Sequence, residues 1–431
     1  MTKRMLLAVL LLIVFALPAG CQKQGGEPTQ PTAPAPTILP THTPEPSPTP
    51  TPDPVGEALA GMTVEQKAAQ LLVAGIEGTE PGEDAVQAVQ GYQVGGVILF
   101  GRNVESAEQL AALTNGLKEL NGDYTPLFLC VDQEGGRVDR MPPEVSRTPS
   151  AWSVGQTLDT EGVGVSYGEL LAAECAAFGF NMDFAPSLDI WSNPDNTVIG
   201  DRAFGNDWEW TAFFGMSAVE GMEKQGTVIP VVKHFPGHGD TAVDSHTALP
   251  VVDKTLEDLW QSELVPFDMV LSGQFWGEPV MEPTPAVMVA HILLSQIDPD
   301  NPASLSPEVV TGLLREEMGY EGVVCTDDLT MGAISNTYGM GEAAVLAVEA
   351  GCDLLLVCHG ADNLAEAHAA LVEAVDSGCI PEERLDESVY RVLSLKTVYG
   401  LSNAPVEAPD IEALNDRIAA LERSIEADTS Q

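Results

Sequence analysis

Apolar residues recur along this chain in short unbroken runs, separated by longer stretches in which they return every three or four positions. The runs fall at 71–76, 95–100, 126–132, 181–188, 228–234, 286–292, 322–327 and 352–359. A run that is apolar at nearly every position, rather than at every second one, marks a strand covered on both faces. Amphipathic stretches of helix length lie between the runs, at 106–120, 162–178, 208–225, 255–271 and 306–318. Strand and helix in alternation predict a parallel sheet wrapped in helices, and eight such units predict a (β/α)8 TIM barrel. A doubly wound open sheet is the alternative, but no Gly-x-Gly-x-x-Gly or P-loop follows the first strand. Asp132, Asp189, His234, His291 and Asp327 all fall at or just after the ends of runs. In a barrel those positions converge on one face, so the placement of polar residues favours the barrel.

The first fifty residues follow a different pattern. Lys3 and Arg4 precede an almost wholly apolar stretch from Met5 to Leu17, which ends in Pro18-Ala19-Gly20-Cys21. This is the build of a secretory signal peptide over residues 1–20. Its small-small-Cys ending resembles the bacterial lipoprotein box, although Pro18 stands where Leu is usual. The resemblance implies that Cys21 becomes the lipid-modified N-terminus. Residues 21–54 are dominated by Pro and Thr. They cannot bury enough apolar surface to fold, and proline biases them towards extended polyproline II, with a reach of up to ~100 Å. The expected organisation is therefore a signal peptide, a lipid-anchored linker at 21–54, one barrel domain at 55–401 and a tail at 402–431. The expected location is outside the cytoplasm, held to the cell membrane through the lipid alone.

A formal charge of −45 argues against nucleic acid or anionic lipid as a partner. Of seven cysteines, Cys130, Cys325, Cys352 and Cys358 sit in apolar runs, so buried free thiols are expected rather than a disulfide framework. His234, His238, Asp240, Asp244 and His246 lie close in sequence, but Pro236, Gly237 and Gly239 break the helix that a His-x-x-x-His zinc site requires, and Lys233 would repel a cation. No metal and no cofactor is expected.

Three segments carry the chemistry: Asp132-Gln133-Glu134-Gly135-Gly136-Arg137-Val138 with Arg140; Lys233-His234-Phe235-Pro236-Gly237-His238-Gly239-Asp240-Thr241 running on to Asp244-Ser245-His246; and Thr326-Asp327-Asp328-Leu329-Thr330-Met331. With NMDFAPSLD at 181–189 and IGDRAFG at 199–205, they resemble the glycoside hydrolase family 3 β-N-acetylglucosaminidases (β-N-acetylhexosaminidases), in the same order and across the whole barrel. The resemblance implies that Asp327 is the nucleophile, a carboxylate able to attack an anomeric carbon and stabilise an oxocarbenium-like transition state. It implies that His246 is the general acid/base, polarised by Asp244; imidazole titrates near neutrality and a partnered carboxylate fixes its tautomer. Sugar binding falls to Asp132, Arg140, Arg202, Lys233 and His234, which accept from and donate to hydroxyls. Asp328 reads as a structural carboxylate, Arg137 as a brace for Asp132 or a neighbouring carboxylate, and His291 as a packed residue behind the site.

Two features depart from the family's simplest pattern. Residues 273–285, with Phe275 and Trp276, lengthen the approach to the sixth run, on the face of the barrel away from the site. In the tail, Ile411, Leu414, Ile418, Leu421 and Ile425 form an amphipathic stretch suited either to the barrel or to a partner helix. The function implied is retaining hydrolysis of terminal β-linked N-acetylglucosamine from muropeptides or related glycans. The alternatives are a β-N-acetylglucosaminide phosphorylase and a wall-binding lipoprotein without turnover.

Overall fold

The structure is a computed structural model that describes residues 53–160, 162–241, 244–245, 247–275 and 277–430. The expected signal peptide, Cys21, most of the linker, His246 and Trp276 lie outside the described residues.

Eight parallel strands close into a barrel in chain order: β1 (Leu72–Gly75), β2 (Gly96–Ile98), β3 (Phe128–Val131), β4 (Met182–Asp183), β5 (Ile229–Phe235), β6 (Ala286–Val289), β7 (Val323–Asp328) and β8 (Leu354–Val357), with β8 pairing back onto β1. All eight expected runs are strands. Both faces of the sheet are apolar because both are covered. Val73, Ile98, Phe128, Cys130, Met182, Ile229, Val231, Met288 and Leu354 fill the interior, while Leu72, Val97, Leu129, Val232, Val287, Val324 and Leu355 meet the surrounding helices. Val392 and Leu395, from the helix Glu382–Val398, join the interior cluster. Lys396 is buried beside them, 4.7 Å from the centroid of Phe128.

Three expectations on element length are corrected. The helix expected at 255–271 is two pieces, Leu256–Leu259 and Leu264–Ser272. Pro266 has no N–H to donate, so it is tolerated only in the first turn of a new helix. The fourth strand is shorter than 181–188: it spans Met182–Asp183, and beyond it the contact with β5 is irregular, with Val231 and Lys233 donating to the carbonyls of Ala185 and Pro186 before an isolated Ser187–Lys233 bridge. The stretch expected at 306–318 is wound as a π-helix over Glu308–Glu317.

Residues 273–285, which lead into β6 at Ala286, carry a two-stranded hairpin, Gln274–Phe275 with Glu278–Pro279. This is the face at which strands start, as expected. The tail forms a helix, Ile411–Thr429, whose Leu414, Ile418 and Leu421 are buried. It packs on the helix Val163–Ala177, and Asp428 accepts from Thr160. The barrel, then, is its partner. Cys130, Cys325, Cys352 and Cys358 are buried free thiols.

Candidate active site

At the ends of the strands the barrel opens into a cavity of about 330 Å³ lined by Asp132, Glu134, Arg140, Arg202, Lys233, His234, His238, Ser245, Asp327 and Asp328, among others. Two irregularities in the sheet account for part of this gathering. The β5–β6 register slips between Val232 and Phe235, and the β7–β8 register slips between Cys325 and Asp328. In a regular strand, neighbouring residues face opposite sides. A slipped register leaves an extra residue, which re-aims side chains. So the consecutive pairs Lys233–His234 and Asp327–Asp328 each line the same cavity.

The loop after β3 is built backbone-first. Gly135 has φ 69°, and a Cβ there would lie 2.4 Å from the Pro149 carbonyl, so the close turn requires glycine. Gln133 points down and pins the loop. Its backbone N–H donates to Asp183 (2.9 Å), its side-chain NH2 donates to Glu174 (2.8 Å), and its side-chain oxygen accepts from the Arg140 N–H (2.8 Å). Thr148 also donates to Glu174 (2.6 Å), whose carboxyl is pushed by burial up to about 8. Asp132 and Glu134 on either side of Gln133 are left at the cavity.

There they meet two cations. Lys233, 1 % exposed, lies 2.6 Å from Asp132 and 2.5 Å from Glu134. Arg202 grips Glu134 through both oxygens, at 2.7 and 2.8 Å. Burial opposes the charge on Glu134, Arg202 and Lys233. Even so, Arg202 and Lys233 hold Glu134 well below the usual carboxylate range, and Asp132 and Glu134 hold Lys233 above the usual ammonium value. The four charges cancel, which is what makes a buried quartet tolerable. The Tyr167 hydroxyl donates to the Glu134 carbonyl.

A second network fixes His234. Arg202 can only donate, so His234 Nε2 accepts from it (3.1 Å) and Nδ1–H donates to Asp189 (2.5 Å). Asp189 also accepts from the Ser187 hydroxyl (2.9 Å) and from the His238 N–H (2.6 Å). Burial would raise its pKa, but His234 and His238 bring it down to about 2. The His238 ring meets Thr241 (2.9 Å) and Ser245 (3.3 Å), and burial lowers its pKa. Asn196 donates to the carbonyls of His238 and Gly239. The loop carrying Asp244 is tied to the chain beyond β7: the Ala333 N–H donates to the Ser245 carbonyl, and Asn336 donates to that of Thr247. The Asp244 carbonyl accepts from Thr247 and Ala248.

Asp327 stands at the end of β7, on the floor of the cavity. Among the described residues it forms no ion pair, and its one hydrogen bond is from the Asp328 N–H (2.8 Å). Burial opposes ionisation, but His291, His234, the Asp328 N–H and Lys233 together lower its pKa, so it is a carboxylate at neutral pH. Asp328 is a different kind of carboxylate. It accepts from the Thr330 N–H and hydroxyl and from the Cys358 N–H, joining the ends of β7 and β8. His291 sits behind both, donating to the Asp328 carbonyl (3.0 Å) and accepting from Ser304 (2.7 Å); burial lowers its pKa.

Each described residue expected to bind sugar thus lines one cavity: Asp132, Arg140, Arg202, Lys233 and His234. They differ in how free they are. His234 already spends both ring nitrogens on protein partners and Arg202 its Nε and Nη2, which leaves Arg202 Nη1 with a 3.3 Å bond to the Val198 carbonyl, whereas among the described residues Arg140 Nε has no partner. Arg137 braces Asp201 (2.9 Å) and the carbonyls of Thr197, Val198 and Ile199, not Asp132. Sequence reasoning gave no role to Glu134, His238 or Asn196, and placed Asp189 at a strand end without its partner. The available signal was that Glu134, Asp189, Arg202 and His238 all sit within the motifs quoted above; Asn196 lies in none of them.

Residues 63–395 match the Glycosyl hydrolase family 3 N terminal domain. The chain belongs to glycosyl hydrolase family 3. Beta-hexosaminidase A from Pseudoalteromonas piscicida is 33% identical over 341 residues, 74% of this chain; the match spans about half of that protein, 56% of its length. Beta-hexosaminidase from Methylococcus capsulatus is 37% identical over 285 residues, 66% of this chain and 80% of its own. Among solved structures, a family 3 beta-N-acetylglucosaminidase from Paenibacillus sp. str. FPU-7 superposes with a TM-score of 0.78 at 41% identity, over 84% of this chain and 68% of that one. These likenesses support an enzyme of hexosaminidase type.

Proposed function

We propose that this protein is a retaining exo-β-N-acetylglucosaminidase that removes terminal β-linked N-acetylglucosamine from muropeptides or related glycans. The observation that carries the reading is Asp327: an ionised carboxylate on the cavity floor, without a neutralising ion pair among the described residues, facing a quartet of charged groups suited to sugar hydroxyls. An oxygen of Asp327 attacks the anomeric carbon as the bond to the leaving oxygen breaks, and His246 gives that oxygen its proton. His246, then neutral, takes a proton from water; the water oxygen attacks the same carbon and frees Asp327. Asp244 orients and polarises His246. Arg140, whose buried Nε has no partner among the described residues, supplies a donor to the sugar, as do Lys233 and Arg202, while Asp132 accepts. The signal at 1–20, Cys21 and the Pro/Thr linker complete the reading as an extracytoplasmic lipoprotein whose barrel works at a distance from the membrane.

The test is hydrolysis of a nitrophenyl N-acetyl-β-glucosaminide against the β-glucoside, with and without phosphate. Release of N-acetylglucosamine, unaffected by phosphate and strongly preferred over glucose, is expected. A sugar phosphate as product would make the protein a phosphorylase. No turnover of either would leave a wall-binding role.

A further inference from the structure

We infer that His359, backed by Phe100, is a stacking platform for the sugar ring that departs when the glycosidic bond is cut. The inference rests on the glycosidase reading above and names the substrate class: a β-linked N-acetylglucosamine attached to another pyranose, rather than to a small alcohol or an amino-acid side chain.

Among the described residues, five aromatic or imidazole rings line the cavity: Phe100, Phe184, His234, His238 and His359. Phe184 is fully buried, and His234 and His238 are locked by Asp189, Arg202, Thr241 and Ser245. Phe100 and His359 remain, just beyond β2 and β8. Their rings lie 22° from parallel with centroids 5.7 Å apart. The Arg102 guanidinium lies 4.6 Å from the Phe100 centroid and is itself fixed by the carbonyls of Ile76 (3.3 Å) and Cys358 (3.0 Å). Asn363 donates to the His359 carbonyl (2.8 Å). So the backbone and the supporting stack are set, yet the His359 side chain keeps 54% of its surface exposed.

Its position matches the leaving group. Asp132, Lys233 and Arg202, which suit the hydroxyls of the cleaved sugar, come from β3, β5 and the loop after β4; Asp327 comes from β7. β7, which carries Asp327, pairs with β8, and His359 follows β8 on the same cavity, so a substituent on an anomeric carbon held at Asp327 has His359 beside it. His359 Nε2 is 3.9 Å from Asp328, the next residue after Asp327. A pyranose presents a face of C–H groups, and an open ring there packs against it.

The test compares kcat/KM for a β-linked N-acetylglucosamine disaccharide with that for N-acetyl-β-glucosaminyl fluoride, whose leaving group has no ring. His359→Ala should lower the ratio of disaccharide to fluoride by about three- to tenfold, the size of an aromatic contact. His359→Phe should restore it and His359→Gln should not. Phe100→Leu should lower it less, because it loosens the support without removing the platform. An unchanged ratio in His359→Ala, or restoration by Gln equal to that by Phe, would overturn the platform. A wild-type protein that cleaves neither substrate would instead remove the glycosidase reading beneath it.

Discussion

Glu134 is the residue whose loss should be felt most broadly, because it neutralises two buried cations at once. Glu134→Gln keeps the shape of the side chain but leaves Lys233 with Asp132 alone and Arg202 without its bidentate partner. Breaking a buried pair from one side costs about 3–5 kcal/mol, most of it the burden of the uncompensated charge. Arg202→Met leaves the opposite excess and should cost a similar amount. The double variant leaves neither, so its loss should fall short of the sum by ~2 kcal/mol or more. The pH window follows from the sign of the shift. Glu134 has a lowered pKa in the folded protein, so its contribution is complete above the unfolded value of about 4.3 and fades only as pH falls below it. The cost of Glu134→Gln should therefore stay level between pH 6 and 8. Urea unfolding of the four proteins measures the cycle. Additive losses, or a single-variant cost below ~1 kcal/mol, would show that the quartet is not energetically coupled.

The other expectations are smaller in scope. Glu174 shows the opposite sign: burial raises its pKa to about 8, so the folded state holds a proton that the unfolded state loses above about 4.3. Wild-type stability should decline by up to ~1.4 kcal/mol per pH unit through that window, and Glu174→Gln should lack that decline; parallel urea curves for the two proteins at pH 5.5 and 7.5 would contradict it. Leu421→Ala on the tail helix should cost about 2–5 kcal/mol in the monomer, measured by thermal or urea unfolding, because its side chain is buried against the barrel. Cys21→Ala should release the protein from membranes into the medium, followed by fractionation and blotting; retention in a detergent-extractable form would place the anchor elsewhere.

The barrel was legible because its physics is repetitive. A strand covered on both faces must be apolar at almost every position, and eight such runs left little choice of architecture. The break at Pro266 was missed because apolar spacing alone ignores a residue that removes a donor, and the early end of β4 because an apolar run does not show where pairing becomes irregular. The five residues expected to bind sugar stand together because each follows a strand end or a motif beside one. What the sequence could not show was pairing. Glu134 reads as one more acidic residue until Arg202, distant in the chain, is brought against both its oxygens. Lys233 and His234 are neighbours that alternation would send to opposite faces, and only the slipped register of β5 lines both on the cavity.

Everything proposed about turnover depends on Asp327, and one experiment addresses it directly. The protein is incubated with a 5-fluoro-N-acetylglucosaminyl fluoride, which slows both steps but leaves a good leaving group for the first. It is then quenched in acid and digested, and the peptides are sequenced by mass spectrometry. The expected result is a single added fluorosugar on the peptide containing Asp327, fragmenting at that residue and absent in Asp327→Asn. A label on another carboxylate, or an enzyme that hydrolyses this donor with inversion and carries no label, would contradict the mechanism.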